Sequence, residues 1–447
     1  MREPVRDTLP SHAAKDEVYA TPETQVDGQP EGIFRIIKNY RRRAAMASAL
    51  GTLSLSNPLE LKSSSLASPL MVPAQAIGSR PEASSFNLSE PKEVIILEDR
   101  VKQSDYWEAY SEMEKVAKTG ASAVKITAQW VIGQMAPSEK DMQALKNAVE
   151  AAQELDLKVI LTAYPCSHIE KACETNAPPL NQWERGKFSN WLATLAYHLP
   201  DVQDFVIGNE INSATFWWPQ YYRNGTYAAA ESYFKLLATS YDVLKKAASK
   251  REGGKEITVY GMALSSKGTY PPLKFLEKFH KAYIDSGRKK PVLDVISYHP
   301  YPTSSSEMPD QKHQGDLVGI ADYPELIKGL KKAFSGTPQA RSELVIAYDE
   351  YGIQTKIPKN KDYLYIGEEP PNTGAVTEAE QAANLATALE IAACQPRVIS
   401  FAQFLNRDER NKKRWQSGLR YYDGTPKSSL DKVKLAIEDF ETGGEVC

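Results

Sequence analysis

From Glu93 onward the chain switches between two hydrophobic rhythms. Short, nearly continuous apolar runs alternate with longer stretches in which apolar positions return every three or four residues. These are the patterns of a strand buried on both faces and of an amphipathic helix. The runs Glu93–Leu97, Ala123–Ala128, Lys158–Tyr164, Asp204–Glu210, Glu256–Leu264, Val292–His299, Leu344–Glu350 and Val398–Phe404 read as strands. The stretches Tyr106–Lys118, Ser138–Leu155, Leu180–Leu199, Tyr227–Ser249, Pro272–Ser286, Tyr323–Phe334, Thr377–Cys394 and Lys427–Phe440 read as helices. Gly120 closes the first of these, and Ser138 with Asp141 offers a capping box to the second. Eight strand–helix units over roughly 350 residues predict a parallel sheet covered by helices, closed into a (β/α)8 barrel rather than left as an open doubly wound sheet. No glycine fingerprint for a dinucleotide follows the first strand, and no phosphate-cradling G-x-x-x-x-G-K-[ST] loop occurs.

Residues 1–90 break the rhythm. Serine, proline, alanine and charged residues dominate there, which predicts a low-complexity, disordered N-terminal extension ahead of a barrel spanning 91–447. Within it a basic run, Arg35–Arg43, precedes a mildly apolar Ala44–Leu55 and the small residues of Pro73–Ala76. That order follows the logic of a secretory leader and sets export as the expectation. No run of eighteen apolar residues predicts a transmembrane helix. Composition changes the picture little: of 447 residues 42% are apolar and 25% charged, ordinary for a globular chain with a sizeable core. The formal net charge of −3 argues against a nucleic-acid partner held by a basic surface. Four cysteines lack any zinc spacing but leave room for two disulfides, with Cys394–Cys447 and Cys166–Cys173 as the pairings considered.

In a barrel of this kind chemistry gathers at the C-terminal ends of the strands. Those ends carry Thr127, Gln129 and Trp130; Tyr164 and His168; Asn209, Glu210 and Asn212; Ser265 and Ser266; Ser297–Pro302; Asp349–Gly352; and Gln403, Phe404 and Asn406. Amides, hydroxyls and aromatic rings suit a polyol. Two strands, the fourth and the seventh, end on glutamates, Glu210 and Glu350. Two carboxyl groups brought to one face are what acid-catalysed cleavage of a glycosidic bond requires. No H-x-H pair or clustered His/Asp set suggests a metal, and no cofactor motif is present.

Those strand ends resemble the clan-A retaining glycoside hydrolases, the cellulase-like barrels of secreted bacterial type. The resemblance runs over about residues 92–447. It rests on Asn209-Glu210 after strand four, Glu350 on strand seven, His299-Pro-Tyr-Pro302 after strand six, and the closing segments Trp415–Leu419 and Asp423–Lys427. Gly208–Asn212 with Phe216–Pro219 adds to it. It implies hydrolysis of β-glycosidic bonds by double displacement, with carbohydrate as the partner. Glu210 would be the general acid/base and Glu350 the nucleophile. Asn209 would meet the sugar 2-hydroxyl, Tyr301 would donate to Glu350, and His299 would line the same subsite. Read from the residues alone, a core histidine and a packing ring are the alternative for His299 and Tyr301. Trp130, Trp217, Trp218 and Trp415 either stack on sugar faces or belong to the loop core, and Tyr164 and Phe404 stand at the same rim. Two positions depart from the pattern: Phe404 stands where many relatives carry tryptophan, and Lys125 where many carry arginine, which makes Lys125 a candidate ion-pair partner inside the barrel. A catalytically silent glycan-binding barrel is the alternative, though such proteins usually lose one glutamate. Oligomeric state and the choice of sugar are not legible.

Overall fold

The structure, a computed structural model, describes residues 92–165, 178–251, 255–370 and 373–443. Eight parallel strands close into a barrel in sequence order. They are β1 (Glu93–Leu97), β2 (Ala123–Trp130), β3 (Lys158–Pro165), β4 (Asp204–Ile207), β5 (Thr258–Ser265), β6 (Val295–His299), β7 (Val345–Tyr351) and β8 (Val398–Phe404). Closure is made by β1 against β8, where Leu97 pairs with Phe404. The covering helices are α1 (Tyr106–Ala117), α2 (Glu139–Glu154), α3 (Gln182–His198), α4 (Ala229–Ala248), α5 (Pro272–Asp285), α6 (Tyr323–Phe334), α7 (Glu378–Ala393) and α8 (Leu430–Thr442). The (β/α)8 expectation therefore holds. The expected leader, His168, and the cysteine pairs involving Cys166, Cys173 and Cys447 lie outside the described residues. Cys394 is not a free thiol. Among the described residues, no helix is long and apolar enough to cross a membrane.

Because side chains alternate across a strand, each strand feeds two cores. Val124 and Ile126 of β2, or Ile346 and Tyr348 of β7, point outward into the large cluster shared with the helices. Ile95, Ala123, Ile160, Val206, Val295 and Val345 fill the barrel centre with a dry layer. A step of two residues along the inward face changes the chemistry to Lys125, Thr162 and Ser297, all buried. The interior is thus apolar below and polar toward the C-terminal rim.

Local chemistry starts the helices where the pattern predicts. Ser138 caps α2 by accepting from the Asp141 amide at 3.1 Å, but the return bond of a capping box is missing, since Asp141 accepts from the Ser138 hydroxyl instead. The full box forms at α7, between Thr377 and Glu380. The main boundary correction concerns β4, which stops at Ile207, short of the predicted Glu210. Gly208 ends it with a φ of +91°, and a Cβ there would lie 2.3 Å from Ile211 Cδ1. Only glycine fits both the conformation and the space.

Candidate active site

The turn at Gly208 puts Asn209 and Glu210 just beyond the strand, and Glu210 itself sits at a φ of +38°. A non-glycine residue in the left-handed region carries backbone strain, which clusters at functional sites. The rest of the site comes from β6 and β7. One oxygen of Glu210, one ring nitrogen of His299 and one oxygen of Glu350 lie within 4.8 Å of one another. His299 Nδ1 is 3.3 Å from Glu210 Oε1 and 3.5 Å from Glu350 Oε2, so the fully buried ring bridges the two carboxyl groups. Tyr301 donates its hydroxyl to Glu350 Oε2 at 3.3 Å.

Below them lies a buried ion cluster. Lys125 Nζ donates to Asp349 Oδ2 at 2.8 Å and sits 3.4 Å from Glu350 Oε1. Ser297 donates to the same Asp349 oxygen at 2.7 Å, and His299 Nε2 stands 3.8 Å from it. Adjacent strand residues ordinarily point to opposite faces, yet Asp349 and Glu350 both meet Lys125. The register between β7 and β8 shifts between Tyr348 and Tyr351, so a bulge turns both carboxyl groups inward.

Charge in this cluster is well defined. Burial alone would lower the His299 pKa, but the Glu350 charge, the nearby Asp349 carboxylate and the hydrogen bond to Glu210 outweigh it, despite Lys125, and lift it to about 9. Burial likewise works against the Lys125 ammonium, and Asp349 and Glu350 overcome it, leaving its pKa raised. For Asp349 burial pushes up, while Lys125 and His299 pull harder and hold it well below the carboxylate range. Tyr301 is pushed far above the usual tyrosine value by burial, then by Glu350 and Glu210, which keeps it a donor.

Glu210, His299 and Glu350 could in principle hold a metal ion by distance. A metal would have to strip the proton from His299 and sit near the Lys125 ammonium.

Aromatic rings wall the site on the β8 side. Trp415 lies 5.4 Å from Tyr301, and Phe404 stands edge-on to Tyr301 at 6.4 Å and to Trp415 at 5.5 Å. Both Phe404 and Trp415 keep partial solvent access. Asn209 is half-buried beside Glu210. Tyr164, at the end of β3, accepts from Gln129 Nε2 at 2.7 Å and meets the Phe216 edge at 6.3 Å. Two expectations need correcting. Trp130 is 1% exposed, donates to the Gln134 carbonyl at 2.8 Å and packs edge-on against Phe188. Trp217 is also 1% exposed, donates to Ser232 Oγ at 3.0 Å and packs against Tyr233. Both rings serve the core, because each indole finds its hydrogen-bond partner inside. Trp218, next in sequence, is 56% exposed.

Sequence reasoning placed Asp349 and Ser297 at the strand ends without giving either a role, and saw Lys125 only as an ion-pair partner. The available signal was a lysine in the middle of an apolar strand, which must have buried counter-charges. Asn212, at the predicted rim, is instead a staple. It is fully buried, donates to the Ser265 and Tyr270 carbonyls, both at 2.8 Å, and accepts from the Ser265 amide at 2.9 Å.

Solved structures of similar fold include several described as glycoside hydrolases. GH5_18 from Streptomyces cattleya, in complex with GlcNAc, matches with a TM-score of 0.53 at 14% identity, over 79% of this chain and 82% of that one. GH5_18 from Bifidobacterium longum subsp. infantis matches with a TM-score of 0.50 at 13% identity, over 78% and 80%. The β-glycosidase BGL167 matches with a TM-score of 0.50 at 12% identity, over 80% and 98%. At these identities the likeness establishes the fold alone. No family model matches the sequence, and no curated protein matches it.

Proposed function

We propose that the protein is a retaining glycoside hydrolase that cleaves β-linked glycosides through Glu210 and Glu350. The observation that carries this reading is the placement of two carboxyl groups, from the ends of β4 and β7, with atoms within 4.8 Å across His299. Retaining enzymes need about 5–5.5 Å between the two groups, whereas inverting ones leave room for an intervening water. The surroundings divide the roles. Glu350 faces the Lys125 ammonium and the Tyr301 hydroxyl, which suits a charged nucleophile. Glu210 is more open to solvent, and among the described residues its carboxyl group meets only the His299 ring in hydrogen bonding, which suits a group that exchanges protons with a leaving oxygen and then with water. In the first step Glu210 gives its proton to the glycosidic oxygen as a Glu350 oxygen attacks the anomeric carbon and the leaving alcohol departs. In the second, Glu210 takes a proton from water, whose oxygen displaces Glu350 with a second inversion. Phe404 and Trp415 would supply the sugar-stacking wall, with the buried Tyr301 behind them. The glycosidase descriptions of the fold relatives agree with this reading.

The test is reducing-sugar release from β-glucans, xylans, mannans and galactans. Glu350→Ala and Glu210→Ala are each expected to lose at least about a thousand-fold in kcat/KM, with azide restoring turnover as a glycosyl azide of defined anomeric configuration. Full activity in Glu350→Ala removes the nucleophile and the retaining route. Binding without release by the wild type moves the silent glycan-binding barrel to the front.

A further inference from the structure

Among the described residues, the cations around the site are paired with one exception. Lys125 answers Asp349 and Glu350, and His299 bridges the glutamates. Lys267, two residues beyond β5, stands 5.8 Å over the Tyr301 ring and donates only a long 3.4 Å hydrogen bond to the Thr303 carbonyl. Among the described residues no carboxylate forms an ion pair with it. Glu307, an anion of the same neighbourhood, is already engaged by His313 at 3.0 Å and by the Thr303 amide at 3.1 Å. Burial outweighs the pull of Glu210 and Glu307 and leaves the Lys267 pKa below the usual lysine range, as expected of an ammonium short of a partner.

The segment that carries it is fastened to the catalytic strand ends. Asn212, two residues after Glu210, holds Ser265 and Tyr270 on either side of Lys267. The Ser266 amide donates to the His299 carbonyl at 3.1 Å, and the Ser266 hydroxyl to the Tyr301 carbonyl at 2.9 Å. A register shift in β5 between Met262 and Leu264 precedes the turn. The mount of Lys267 is therefore built, while its charged head keeps solvent access.

We propose that Lys267 selects sugars bearing a negative group, a carboxylate or a sulfate ester, next to the bond that is cleaved. This rests on the glycosidase reading for its substrate. An anion would complete the coordination of the ammonium and be oriented against the Tyr301 face.

Equilibrium binding separates this inference from catalysis. Full-length protein in the Glu350→Gln background, with Lys267 intact or changed to Gln or Arg, is titrated with two matched pairs. These are xylo-oligosaccharides with and without a glucuronate branch, and galacto-oligosaccharides with and without a sulfate ester. The expected result is tighter binding of one charged member by about ten-fold or more. That preference falls to within about two-fold in Lys267→Gln, survives in Lys267→Arg and shrinks at high salt. The pair that responds distinguishes carboxylate from sulfate. Lys274→Gln, which alters an exposed lysine paired with Asp316, leaves the ratio unchanged. Equal binding within both pairs, no binding of either charged member, or a preference that persists in Lys267→Gln overturns the proposal. Hydrolysis of neutral glycans without charge preference would leave the glycosidase standing and remove Lys267 selectivity alone. Anion binding through Lys267 without turnover of any glycan would do the reverse.

Discussion

At the scale of single residues, the site is a problem in compensating charge. Lys125 is buried in a barrel whose lower layer is apolar, and its cost is offset by Asp349 and Glu350. Removing one member of a buried ion cluster leaves the others unpaired, which typically costs about 3–5 kcal/mol. Lys125→Met is expected to lose about that much in a urea titration, and the loss should shrink when Asp349→Asn is added. A double variant whose loss equals the sum of the two single losses would show that the two side chains are not coupled. The tryptophans divide by the same logic of partners. Trp217→Ala empties a core site and is expected to cost about 3–5 kcal/mol in stability. Trp415→Ala, at the half-open wall beside Tyr301, should cost far less stability and raise KM. The opposite split between melting and kinetics would return Trp217 to the sugar site. Sequence alone could not separate these rings, because an indole in a loop looks the same whether its N–H reaches Ser232 or water.

At the scale of elements, strand ends and their breaks aim the chemistry. β4 must stop where it does for Glu210 to leave the sheet, and Gly208 is the stop. Gly208→Ala would need a left-handed alanine and would press on Ile211. It is expected to cost at least about 1–2 kcal/mol in stability and to lower kcat, because Glu210 would be re-aimed. A variant of unchanged Tm and kcat would mean that the turn tolerates rearrangement. The bulge in β7 does the complementary work by turning Asp349 and Glu350 to one side. A period of two predicts that neighbours face apart, so the sequence pattern placed Glu350 at the rim and left Asp349 without a role. Bulges are set by pairing with the next strand, which no single strand's residues record.

At the scale of the whole molecule, the buried cluster ties stability to pH. His299 titrates near 9 in the folded protein against an ordinary 6.5. Its contribution is fully present below about pH 6.5 and is lost as pH rises through 9. Asp349 works from the other side. Its depressed value contributes above the ordinary carboxylate range and is lost only in strong acid. Lys92 opposes His299 in the alkaline range, since burial lowers its pKa to about 8 and its neutral form is favoured as pH rises. The cleaner measurement is therefore the Tm difference between wild type and His299→Asn. It should be largest near pH 6 and narrow between pH 7 and 10. A difference that stays constant with pH would mean that the His299 pKa is the same in the folded and the unfolded chain.

Much of this molecule was legible in one dimension. Eight apolar runs alternating with amphipathic helices specify a parallel sheet, because strands that are apolar on both faces require helices on the outside and each other within. Strand ends then point to Glu210, Glu350, His299 and Tyr301, because a barrel gathers all its C-terminal ends on one face. Tertiary structure alone decided what those ends touch. It set Lys125 against Asp349, closed the Trp130 and Trp217 indoles into the core, turned Asn212 into a staple and, among the described residues, left Lys267 without an ion-pair partner. Local periodicity comes from the backbone's own geometry, so the sequence carries it. Partnership between side chains separated by a hundred or more residues comes from closure of the barrel and its bulges, and appears only once the strands have met.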